Sequence, residues 1–144
     1  MRMIYAVILW ASALPALAEE MPLIIDVPAI AHASQEKVEQ LLGKAEFCRK
    51  SRQGISCRFA AHGTEIVFVQ DKAERITIND LDDVSYDKAV ITRFGLKNQE
   101  PEVSTEETIS WGNITGIAAV SLFPDKDKID YALIAVSPLP ENKK

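Results

Sequence analysis

The residues of this chain best suited by type to chemistry are two cysteines, two histidines and a scatter of carboxylates. Cys48 and Cys57 lie nine positions apart, with Ser51, Arg52, Gln53 and Gly54 midway between them. A hairpin turning on those four polar residues would set the cysteines opposite each other within bridging distance. A redox or metal-binding pair is the competing reading. However, the spacing is far from Cys-x-x-Cys, and no histidine is near enough in sequence to complete a tetrahedron. A Cys48–Cys57 disulfide is therefore expected in an oxidising compartment. Closing a loop of about ten residues, it would contribute roughly 2.5 to 3 kcal/mol.

The remaining candidates are weaker. His32 precedes a helix and His62 sits in a tight turn, so exposed structural roles are expected and no metal site is assigned. Asp80, Asp82 and Asp83 resemble the start of a calcium loop but lack its glycine at position 6 and its closing glutamate at position 12. Asp125 and Asp127 alternate with Lys126 and Lys128, the pattern of a soluble hairpin tip. There is no Gly-x-Ser-x-Gly, no His-Glu-x-x-His and no glycine-rich phosphate loop. No catalytic residue and no cofactor are expected. Trp111, Phe123 and Tyr131 are the candidate binding residues, because aromatic side chains dominate interface hot spots. Each has a second reading as a core side chain, and for Trp111 the core reading weighs more.

These residues need elements to position them. Ser34 suits a helix N-cap, and Val38, Leu41, Leu42 and Ala45 then follow one apolar face up to Gly43, which suits a left-handed stop. Phe47 to Phe59 reads as the cysteine hairpin, Thr64 to Gln70 as a buried strand and Arg75 to Asn79 as a strand with one wet face. Ser85 is a second N-cap candidate, for a helix carrying Tyr86, Ala89, Val90 and Phe94 and ending at Gly95. Leu96 to Thr105 lacks periodicity and reads as a mobile loop. Strands follow at Thr108–Trp111, Ile117–Phe123 and Ile129–Val136. Pro22 and Pro28 bracket an apolar run, Leu23 to Val27, as an edge strand or an extended arm.

The predicted fold is a two-layer α+β domain over 34–137, an antiparallel sheet with two short helices packed on one face. The recurrence of helix and then meander suggests a tandem of two α-β-β-β units, modules 34–79 and 85–136. Residues 19–33 form the arm and 138–144 a flexible tail.

Residues 1–18 read as a secretory signal peptide. Arg2 is followed by an apolar run too short to span a bilayer, and Ala16-Leu17-Ala18 is a cleavage site. Cleavage after Ala18 leaves 126 of the 144 residues and moves the formal charge from −5 to −6. That length suits one domain with its own core. The acidic balance argues against nucleic acid and anionic lipid as partners. A periplasmic or extracellular location without stable membrane insertion is expected. The basic group Arg49, Lys50, Arg52 and Arg58 reads as a solvated hairpin.

Ser34-x-x-x-Val38-x-x-Leu41-Leu42-Gly43-Lys44, followed by a hairpin and a buried strand, resembles the helix-hairpin module of the small outer-membrane assembly lipoproteins and the tandem modules of the β-lactamase inhibitor protein. The chain departs from that pattern in having Lys44 and Ala45 where proline is common, and it has no lipid-anchor cysteine. The resemblance implies a short helix on an antiparallel sheet whose face or loops bind another protein, and it carries over no binding residue. The expected function is thus non-enzymatic binding or inhibition of another envelope or secreted protein. The alternative is a small-ligand carrier or enzyme using a cleft between the modules, where Tyr86, Tyr131 and Asp130 could meet.

Overall fold

Alternation with a period of two runs through most of the chain from Phe47 onward. A computed structural model, which describes residues 22–138, arranges it as eight antiparallel strands of one sheet. They are β1 (Phe47–Lys50), β2 (Ile55–Phe59), β3 (Thr64–Val69), β4 (Lys72–Ile78), β5 (Val103–Ser104), β6 (Ile109–Ile114), β7 (Ile117–Asp125) and β8 (Lys128–Ala135). Their spatial order is β1-β2-β3-β4-β8-β7-β6-β5. Two four-stranded meanders are therefore joined at their last strands, with Arg75 opposite Ala135 and Ile78 opposite Ala132 across the seam.

This overturns the two-layer α+β reading, because the helices are minor elements beside a continuous eight-stranded sheet. They are α1 (Val27–Ile30), α2 (Gln35–Leu42) and a 3₁₀ helix, Lys88–Phe94. In α2 the Ser34 hydroxyl accepts from the Lys37 amide at 3.2 Å, and the chain leaves the helix at Gly43 with φ 92°. Its buried stripe is narrower than the spacing predicts: Val38 is buried and Leu42 half-buried, while Leu41 faces solvent.

The second expected α-helix does not form, for a local reason. Ser85 bridges to Lys128, and the Tyr86 amide donates to the Asp127 carbonyl at 2.9 Å, so both residues extend the sheet. Asp87 becomes the cap, accepting from the Ala89 amide at 2.7 Å. The three β-branched residues that follow, Val90, Ile91 and Thr92, disfavour a regular α-helix through their restricted χ1. The tandem α-β-β-β plan also fails in strand count, because the segment read as a mobile loop contributes β5, with Val103 opposite Ser110 and Ser104 opposite Ile109.

One face of the sheet forms the core. Phe59, Ile66, Ile76, Ile134, Leu122 and Trp111 point the same way and cluster with Ile30, Val38, Leu81 and Phe94 from the short helices and connections. Among the described residues Thr64 is the one fully buried polar side chain, and its hydroxyl donates to the Ala61 carbonyl. The run Leu23–Val27 pairs with none of the eight strands. The Ile24 amide donates to the Arg93 carbonyl at 2.7 Å, and Arg93 Nε donates to the Pro22 carbonyl at 3.2 Å. The arm thus lies against the second half of the chain before leading into α1. The expected signal peptide, most of the tail and the first residues of the arm lie outside the described residues.

Candidate functional site

Because side chains alternate across a strand, the residues between the core positions must stand on the opposite face. Among the described residues no helix or strand is layered over that face. One row across all eight strands reads Phe47, Arg58, Glu65, Thr77, Leu133, Ser121, Ser110 and Val103. Phe47 is 53% exposed, Leu133 41% and Val103 41%, so both edges and the centre of this row present bare apolar surface. The next row runs Arg49, Ser56, Val67, Arg75, Ala135, Ala119 and Gly112. The Glu102 carboxylate rests over Gly112, where a Cβ would stand 2.8 Å from its Oε1.

At one end of the face, Phe123 and Tyr131 sit opposite each other on β7 and β8 with their rings stacked, centroids 4.7 Å apart and planes 19° apart. They line a broad depression of about 960 Å³ together with Tyr86, Glu106, Asp130 and Lys126. The Tyr86 hydroxyl donates to the Thr105 carbonyl at 2.9 Å and ties the 104–107 loop to the rim. Burial pushes the Tyr86 phenol above its ordinary pKa. At the other end, a cavity of about 340 Å³ lies between the two meanders, lined by Val67, Val69, Arg75 and Pro138 with Gln53 and Glu74 at its wall. One Glu74 oxygen is 3.7 Å from His32 Nδ1, and the other is buried without a hydrogen-bond partner.

Of the residues singled out in the sequence, Phe123 and Tyr131 reach the open face together. Trp111 does not: it is 1% exposed on the core side, its indole N–H donating to the Gln99 carbonyl at 2.7 Å. Tyr86, Tyr131 and Asp130 do meet, within the second half and not between the halves. Cys48 and Cys57 face each other across β1 and β2 and form the disulfide, with Cα atoms 4.1 Å apart. The turn between them closes by the Ser51 amide donating to the Gly54 carbonyl at 2.7 Å. Gly54 is required there, because a Cβ would collide with the Phe68 carbonyl oxygen. His32 and His62 are both exposed and both have left-handed backbone, φ 61° and 52°. No group of three metal-ligating side chains comes together among the described residues, and no described helix is long and apolar enough to cross a membrane.

Sequence reasoning missed Phe47, Leu133, Val103 and Arg75. A signal for Leu133 is present: Ala132-Leu133-Ile134-Ala135 has no polar position, so the last part of β8 is apolar on both faces. Charge is also divided. Residues 22–79 hold eight lysines and arginines against seven acidic residues, whereas 80–138 hold five against eleven. No protein family, curated protein or solved structure matches this chain.

Proposed function

We propose that this protein is a non-enzymatic secreted protein of the periplasm that binds or inhibits another envelope or secreted protein through the open face of its sheet. The observation that carries this reading is the uncovered row with bare Phe47, Leu133 and Val103, flanked by the stacked Phe123–Tyr131 pair. Leu133 and the Phe123–Tyr131 pair stand together on the open side of β7 and β8, and aromatic anchors supply much of the energy at interaction surfaces. The resemblance of the first helix and hairpin to modules that bind proteins through a sheet or its loops points the same way. The test is affinity capture from an envelope fraction, comparing the natural protein with a Leu133→Arg, Phe123→Ala variant. Loss of a captured protein with the variant is the expected result. A partner retained equally by both would overturn the assignment to this face.

A second reading rests on the cavity of about 340 Å³ between the meanders, near the lower end of the size range of small-molecule pockets. Its apolar Val67, Val69 and Pro138 beside Arg75 and Glu74 suit a small amphipathic ligand. Thermal-shift screening of the natural protein against Val67→Trp, which fills the cavity, separates the two: a ligand stabilising only the natural protein would favour the carrier reading.

A further inference from the structure

We propose that the free protein pairs with a second copy of itself through the open face, so that a symmetric dimer masks the surface assigned above to a partner. The masking role rests on that assignment, whereas the dimer itself stands on the layout of the face. The sheet centre is the β4–β8 seam, with four strands on either side. A two-fold axis running parallel to the strands through that seam lays the first half of each copy over the second half of the other. Along the first row this sets Phe47 of one copy over Val103 of the other, the Arg58 and Glu65 pair over Ser110 and Ser121, and Thr77 over Leu133 close to the axis. Along the neighbouring row it brings Arg49 over the edge where the Glu102 carboxylate rests on Gly112. On these two rows the first half carries Arg49, Arg58 and Arg75 against one carboxylate, Glu65, and the charged side chain on the second half is Glu102.

An isologous interface requires this kind of self-complementarity, since one patch must fit itself after rotation. The area suffices: seven strand spacings by about five residues cover roughly 34 Å by 17 Å. That is on the order of 1,100 Å² of total buried surface, just above the roughly 1,000 Å² a specific interface needs. Face-to-face sheets pack with their strands within about 30° of alignment, as this axis demands. The aromatic depression lies toward one end of the strands, off the axis.

The experiment is sedimentation velocity on the purified protein over a wide concentration range, at low and high salt. The expected result is a monomer–dimer equilibrium that weakens with salt. Leu133→Arg should leave only monomer, with circular dichroism reporting whether it folds. Arg49→Glu should weaken the dimer about tenfold, and adding Glu102→Arg should restore it, as a swapped charge pair does when two side chains meet across an interface. Both positions are exposed, so this swap tests the proposal even if Leu133→Arg fails to fold. A strict monomer at every concentration, or a dimer indifferent to both the Leu133 change and the charge swap, overturns the proposal. Neither outcome touches the capture experiment, so the dimer and the partner assignment fail separately.

Discussion

Ala132 and Ile134 of β8 are buried in the core, while Tyr131, Leu133 and Ala135, each one residue away, stand on the uncovered face. The same strand therefore serves two surfaces under different constraints. On the inner face, Trp111, Phe59 and Ile76 are fixed by close packing against the short helices, where any lost volume leaves a cavity. On the outer face, Leu133 has Thr77 and Ser121 as cross-strand neighbours and meets solvent above them. An apolar residue on a wet face contributes little to folding, and the role proposed for Leu133 is in association.

The sharpest way to break that contrast is to truncate one large side chain on each face. Trp111→Ala should lower stability by about 3 to 5 kcal/mol in urea unfolding, through the cavity and the loss of the bond to Gln99. Replacing both Cys48 and Cys57 by alanine should cost roughly 2.5 to 3 kcal/mol, read as a lower unfolding midpoint under non-reducing conditions. Leu133→Ser on the open face should change stability by no more than about 0.5 kcal/mol while weakening self-association. Equal destabilisation at Trp111 and Leu133 would mean that the two faces are not distinct.

The smallest effect concerns Tyr86, whose phenol is pushed above its ordinary pKa by burial. A folded-state pKa raised above the unfolded value gives a stabilising contribution that is present at neutral pH and lost as pH rises through the ordinary tyrosine range and beyond. Ultraviolet titration should show one late-ionising tyrosine that disappears in Tyr86→Phe.

Local signals made part of this legible in the sequence. The cysteine hairpin, its Ser51–Gly54 turn and the Ser34 cap each depend on residues a few positions apart, and each stands in the structure. The sheet order was not legible, because β4 meets β8 across some sixty residues of chain and no local pattern encodes that pairing. The two-residue β5 is too short to show alternation. The Ser85 helix misled because its capping residue is already committed to a bridge with Lys128. The open face stayed hidden because periodicity gives a strand two faces without saying which one finds a cover. Trp111 illustrates this, its exposure being decided by one step of register.

The arm at residues 22–26 places the first described residues of the chain against Arg93 and Gly95 of the second half. A chain synthesised amino-terminus first must leave Ile24 without its final neighbour Arg93 until some seventy further residues have been made. The first meander then still lacks β8 along its β4 edge. The β4–β8 seam closes only when the last strand arrives, and the long sequence separation across it predicts slow folding. An incomplete product would expose both the β4 edge and the apolar arm, which makes truncated chains of this protein natural targets for proteolysis and aggregation.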